Sequence, residues 1–239
     1  MAEKSGKNWF ARHKVLTGVL VSVVLVAIGS AISTGDKKTN TKATTNTPSP
    51  APAAKVKEEP APAPAPPPKP KTYTGTGDDV VTVAKPADGA AILTFKCPSC
   101  SENTVVKTNG EDSLLVNTIG SYSGSHLIDS SSGSNTTEVT ITAVGSWTLI
   151  LSGLDQAAQS NGQPISGKGD TVLHITGNTT KATIANTGDE NFVVRAYPEA
   201  GGNADLAVNT IGSYKGTVPL DAPAYVQITS NGTWSVTPK

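Results

Sequence analysis

The sequence predicts an all-β protein: two tandem homologous β-sandwich (or small barrel) domains after one N-terminal transmembrane helix and a disordered Pro-rich linker. Three observations predict it. Eighteen residues without a charge, Val15 to Ile32, stand near the start. Ten of the seventeen prolines fall between residues 34 and 72. After residue 73 the chain contains an internal repeat whose copies alternate apolar and polar side chains.

The N-terminus sets the expected compartment. At 1.5 Å per residue, eighteen helical residues span roughly 27 Å, close to the hydrocarbon thickness of a bilayer. Lys4, Lys7, Arg12 and Lys14 precede the run and would hold residues 1–14 in the cytoplasm. A cleaved signal peptide with Gly29-Ser30-Ala31 at its cut site competes with an uncleaved signal anchor. The run exceeds the usual length of a signal-peptide core, about 7–15 residues, which favours the anchor over residues 15–32. Either way, everything after Ile32 is expected outside the membrane. The expected localisation is therefore the cell membrane, single-pass, with the C-terminal domains extracellular.

Residues 34–72 form the linker. They hold seven lysines against three acids and show no apolar periodicity, so they cannot build a core. Alternating proline favours polyproline II at about 3.1 Å per residue, and Pro48 to Pro70 would reach roughly 70 Å. A cationic, semi-rigid spacer suits passage through a cell wall; a ligand for a PxxP-reading domain is the alternative. Residues 73–239 carry eight basic against fifteen acidic side chains. That excess of negative charge argues against a nucleic-acid partner, which needs a basic face.

The repeat is carried by four blocks, one of them ENTVVK from residue 102 matching ENFVVR from 190. Val116-Asn117-Thr118-Ile119-Gly120-Ser121-Tyr122 recurs unchanged as Val208-Asn209-Thr210-Ile211-Gly212-Ser213-Tyr214. GTGDDV from residue 75 matches GKGDTV from 167, and GSWTL from 145 matches GTWSV from 232. The copies span 73–153 and 163–239, with Leu154 to Gly162 as a short polar connector. Each copy reads as strands: Val139, Ile141 and Ala143 alternate with threonines, and Trp147, Leu149 and Leu151 continue an apolar face. Asn231-Gly232 between alternating runs predicts a hairpin, and Val144-Gly145 a tight connection. With a thin core, Trp147 and Trp234 are expected to supply much of it.

The repeated VNTIGSYxG block has two readings. Asn117, Ser121, Tyr122 and their counterparts Asn209, Ser213, Tyr214 could bind a polar ligand, with tyrosine stacking on a sugar ring. Alternatively Val116 and Ile119 pack inward, Asn117 bonds turn backbone, and Gly120 and Gly124 permit a bend. Cys97-Pro98-Ser99-Cys100 is expected to be a local disulfide. A redox role needs a helix N-terminus that the sequence does not offer, and a zinc site needs two further ligands where only His126 is near. The acids Asp78-Asp79, Glu111-Asp112, Asp170 and Asp189-Glu190 sit in expected turns; solvated turns are preferred to calcium loops, and no metal is assigned.

Catalysis is hard to assemble. No HExxH occurs, and GSYSG at 120–124 puts tyrosine where a nucleophilic serine would stand. GxGD at 75 and 167 precedes strands, so it is no phosphate loop. No enzyme activity and no cofactor are expected, although two carboxylates without a motif would suffice for a glycosidase.

The KNWFARHKVLTGVLVSVVLVAIG start, the Pro/Ala-rich spacer and the paired GxGD…VNTIGSYxG…GxW blocks together resemble membrane-anchored envelope proteins of actinobacterial type. The duplicated units also resemble the β-sandwich pre-peptidase C-terminal domains of secreted bacterial enzymes. The resemblance implies a location at the envelope. The expected function is a membrane-tethered extracytoplasmic binding module for a cell-wall polymer, a glycan or a surface protein. The alternatives are a surface-shielding or sensing membrane protein without a pocket, and a hydrolase.

Overall fold

A computed structural model of the protein describes residues 66–239. The expected cytoplasmic tail, anchor and most of the linker lie outside the described residues. Among the described residues no helix is long and apolar enough to cross a membrane.

The first copy contributes β1 (Lys71–Thr76), β2 (Asp79–Thr82), β3 (Ala91–Cys97), β4 (Asn103–Thr108), β5 (Leu114–Ile119), β6 (Tyr122–Ile128), β7 (Glu138–Thr142) and β8 (Ser146–Ser152). These form two four-stranded sheets, ordered β1-β8-β3-β6 and β2-β7-β4-β5. A 3-10 turn at Leu154–Gln156 leads to β9 (Ala158–Asn161). Then come β10 (Ile165–Lys168), β11 (Thr171–Thr176), β12 (Lys181–Asn186), β13 (Asn191–Pro198), β14 (Asp205–Ile211), β15 (Tyr214–Pro219), β16 (Ala224–Thr229) and β17 (Thr233–Pro238). Their sheets are ordered β10-β17-β12-β15 and β14-β13-β16-β11-β9. With β9 set aside, the second order reproduces the first strand for strand. This is the jelly-roll order of a double-sheet sandwich. The connector is thus structured: β9 joins the second copy's sheet by pairing parallel to β11.

Each copy closes its own core between its two sheets. In the first, Leu93, Phe95, Leu149 and Leu151 meet Val106, Val116 and Ile141 from the opposite sheet. In the second, Ile184 and Val236 meet Phe192, Val194, Val226 and Ile228. The tryptophans sit as expected: Trp147 and Trp234 are buried, and each indole covers a glycine on the neighbouring strand, Gly75 or Gly167. The indole N–H then donates to the carbonyl of the glycine two residues on, Gly77 or Gly169, at 2.9 Å in both copies.

The repeated blocks mark the places where the chain changes sheet. β1 to β2, β3 to β4, β5 to β6 and β7 to β8 all cross between sheets, and so do their counterparts. Asn231-Gly232 is therefore an arch between sheets and not the expected hairpin. Its Asn-Gly chemistry serves close backbone approach. Asn231 Oδ1 accepts from the Asp189 N–H, and a side chain at Gly232 would run into the backbone of Gly188. Gly145 likewise lies against Ser99 and Cys100. Gly120 and Gly212 have φ of +88° and +86°, which permits the tight β5–β6 and β14–β15 corners. Cys97 and Cys100 form a disulfide with Cα atoms 5.4 Å apart, bracing the β3–β4 arch. The second copy braces the same place with hydrogen bonds: buried Asn186 donates to the Gly212 carbonyl and accepts from Ser230.

At the opposite end of the first copy, Lys85 and Asp129 form a buried ion pair at 2.8 Å. Burial alone would raise the Asp129 pKa, but hydrogen bonds from Lys85, Thr136 and Ser134 hold it below its ordinary value. The pair pins the β2–β3 loop to the β6–β7 loop.

The glycine–indole stacking yields a prediction. A methyl at Gly75 or Gly167 forces the indole out of its slot. Gly75→Ala and Gly167→Ala should each cost about 1–3 kcal/mol. Urea unfolding followed by tryptophan fluorescence would measure the cost, and a loss in only one copy would contradict equivalent packing.

Candidate functional site

The site is built from a problem of edges. β6 is the outer strand of its sheet, so one side of its backbone has no strand partner. The second copy satisfies that side. The Ser125 N–H donates to the Asp170 carbonyl at 3.0 Å. The Gln227 side chain accepts from the Leu127 N–H at 2.7 Å and donates to the Ser125 carbonyl at 3.1 Å. Beside these bonds, Ile92 and Leu127 pack on Ala157 and Val172, with Tyr197 and Tyr225 at the margin. The two sandwiches are thereby joined through polar and apolar contacts together.

A second latch lies next to the first. The Tyr122 hydroxyl donates to Asp170 Oδ2 at 2.6 Å and stands 2.7 Å from His126 Nε2. Tyrosine has one proton, so its oxygen accepts from the imidazole, which puts a proton on Nε2 of His126. The other Asp170 oxygen accepts from the Ser230 N–H at 2.8 Å. Burial pushes the Tyr122 hydroxyl far above the ordinary tyrosine range, and the Asp170 charge and hydrogen bond add to the effect. Burial also holds His126 below its ordinary value, against the opposing pull of Asp170.

Asp78 is the first-copy counterpart of Asp170. It accepts from the Ala143 N–H at 3.0 Å, the bond equivalent to that from Ser230. Both aspartates thus perform the turn role expected of them. Asp170 alone also crosses to the other copy.

Between the copies lies an open cleft of about 780 Å³. One wall is β5 with the β5–β6 corner: Leu114 to Thr118, Ser121, Tyr122 and Ser123. The other wall comes from the second copy: Lys168 to Asp170, Glu190, Asn191 and Thr229 to Asn231. Three of the six residues expected to bind ligand, Asn117, Ser121 and Tyr122, therefore line one cleft. Asn209, Ser213 and Tyr214 do not line it.

Tyr122 and Tyr214 are half-buried, and both rings lie over a glycine two residues on, Gly124 or Gly216. Tyr214 packs against Phe192 with ring centroids 5.8 Å apart. Each ring thus has one side against its own copy. Val116 is buried as expected, but Ile119 and Ile211 are 82% and 76% exposed and do not pack inward. Ile119 lies three residues from Val116 on the same strand, so alternation puts it on the opposite, solvent face. Asn117 is exposed and bonds no turn backbone among the described residues.

Sequence reasoning missed Gln227, the Tyr122–Asp170 bond, Lys168 and Glu190. One signal was available. His126 and Gln227 have no like residue at the matching position of the other copy, where Val218 and Thr140 stand. In a duplicated chain, a polar residue found in only one copy marks a place where the copies differ in surroundings. Among the described residues no group of three acidic, histidine or cysteine side chains is placed to hold a metal.

No family model matches this chain, and no curated protein matches it. Among solved structures it is similar to a conserved protein of unknown function from Pseudomonas aeruginosa PAO1. The identity is 8%, the TM-score 0.22, and the match covers 71% of this chain and 79% of that one. A TM-score so low carries no argument about either fold or activity.

The latch makes stability depend on pH. His126 is neutral in the fold and its pKa lies below the unfolded value of 6.5. Unfolding then takes up a proton, so stability is complete above pH 6.5 and falls as pH drops through the window below it, by at most about 1.4 kcal/mol per pH unit. Asp129 and Glu111, both held below their ordinary values, add losses only at still lower pH. Urea midpoints from about pH 7.5 to about pH 5 should decline in the wild type and stay flatter in His126→Gln. Parallel declines would remove His126 as the cause.

Proposed function

We propose that this chain is a non-enzymatic binding module, tethered outside the membrane by its N-terminal apolar run and lifted from the surface by the Pro-rich spacer. The observation that carries the binding reading is the cleft between the copies. It brings Asn117, Ser121 and Tyr122 onto one wall and faces them with polar side chains of the second copy. A module whose only task is to shield a surface needs no such opening.

The chemistry of the cleft supports binding over hydrolysis. Asp170 and Glu190 both line it, as a two-carboxylate hydrolase would require. Yet both oxygens of Asp170 are occupied, one by Tyr122 and one by the Ser230 N–H. That carboxylate holds the copies together, and moving it to serve a reaction would open the junction. The tether reading rests on the uncharged run 15–32 and its basic flank. The layout that resembles actinobacterial envelope proteins is consistent with it.

Ser121→Trp tests the cleft directly. Ser121 is exposed on the cleft wall, so a bulky ring there should leave stability within about 0.5 kcal/mol. The full-length chain would be applied to an array of wall polysaccharides, oligosaccharides and surface-protein peptides. The wild type should retain at least one class of probe, and Ser121→Trp should lose it more than about tenfold, roughly 1.4 kcal/mol. Equal retention by both proteins would place binding elsewhere.

A further inference from the structure

β5 is the outer strand of its sheet and lines the cleft. The Gly120 N–H donates to the Glu102 carbonyl at 2.7 Å, which puts Gly120, Thr118 and Val116 in the hydrogen-bonded pairs with β4. By the alternation of an antiparallel ladder, the backbone N–H and C=O of Asn117 and Ile119 point the other way, off the free edge. Among the described residues nothing pairs with them.

Other outer strands are blunted. β1, β10 and β15 carry Lys71, Lys168 and Lys215, and β15 also carries Pro219. β2 and β14 carry Asp79 and Asp205, β9 is only four residues long, and β6 is covered by Gln227 and Asp170. β5, with the sequence LLVNTI, has six residues and neither charge nor proline. Leu114 and Ile119 stand exposed at its two ends. An uncharged free edge of this kind is a template for another strand.

We propose that β5 is a docking edge for an extended polypeptide, which enters the cleft and adds to the sheet as a further strand. The inference rests on the cleft reading above and names the ligand class. Six residues of β5 run about 20 Å and supply main-chain bonds at alternate positions. The exposed Leu114 and Ile119 favour apolar side chains on the incoming strand. Glu190 on the facing wall has no partner among the described side chains and favours a lysine or arginine. The site continues the junction already formed at β6: the second copy covers that edge and stops short of β5. Pairing of β5 with the β5 of a second copy would bring the two facing walls together, which disfavours that occupant. A glycan has less to gain, because the Tyr122 hydroxyl is already engaged by Asp170 and His126.

The test uses the full-length chain and an array of nine-residue peptides. Each has lysine at both ends and a centre in which threonine alternates with a randomised apolar residue. Peptides should bind, and Asn117→Pro should weaken them more than tenfold. Proline removes one outward N–H and leaves the β4 ladder intact; Asn209→Pro, on the unwalled equivalent strand, should change binding less than twofold. A second measurement needs no variant. The best peptide is N-methylated on alternate residues, in each of the two phases. One-edged strand pairing predicts that one phase loses binding more than tenfold and the other retains it. Equal effects of the two phases would overturn the proposal, as would self-association of the chain abolished by Asn117→Pro. Capture of polysaccharide but no peptide, blocked by Ser121→Trp, would overturn strand addition and leave the cleft reading standing. Capture of nothing would end both.

Discussion

Every outer strand of a sheet presents backbone donors and acceptors that must be paired, hydrated or hidden. In this protein the covering of β6 by Asp170 and Gln227 is the interaction on which the rest depends. It fixes the second sandwich against the first, it draws Tyr122 and His126 into the junction, and it ends before β5. The cleft is the space left over. Its position follows from which edge was satisfied within the chain and which was not.

The same junction explains why two units of one strand order behave differently. Tyr122 and Tyr214 occupy equivalent positions over equivalent glycines. Only Tyr122 meets an aspartate from the other copy, and only it has a histidine behind its hydroxyl. Asp78 and Asp170 make the same bond to the start of the following arch, and only Asp170 has a neighbour to reach. The second copy's free edge at β15 carries Lys215 and Pro219 instead. Lysine and proline deny that edge to a further strand. Duplication supplied the scaffold, and a handful of unmatched residues supplied the asymmetry.

Much of the fold was legible because the internal repeat survives where the backbone is most constrained. The blocks GxGD, VNTIGSYxG and GxW lie at arches between sheets, where glycine is required by a positive φ or by a close neighbour. The disulfide and the buried tryptophans were readable for the same reason: few residue types satisfy those positions. The hairpin expected at Asn231-Gly232 failed because that dipeptide favours tight reversal without specifying whether the flanking strands share a sheet. Ile119 was misplaced because its apolar character was weighed above its spacing: three residues from Val116 on one strand, it must face the other way. The cleft itself was half legible. Asn117, Ser121 and Tyr122 were singled out from repetition, but repetition named Asn209, Ser213 and Tyr214 equally, and only the packing of the copies separates them. Glu190 and Gln227 belong to that packing and leave no local pattern.

The covered edge at β6 is what joins the two sandwiches. Amide hydrogen exchange of Ser125 and Leu127, compared with that of Asn117 and Ile119 in the same chain without ligand, tests it most directly. Protection of the first pair close to that of the core strands, lost in Gln227→Ala for Leu127, with rapid exchange of the second pair, is the expected result. Rapid exchange at Ser125 and Leu127 in the wild type would mean that the sandwiches are not joined at β6, and the cleft would lose its second wall.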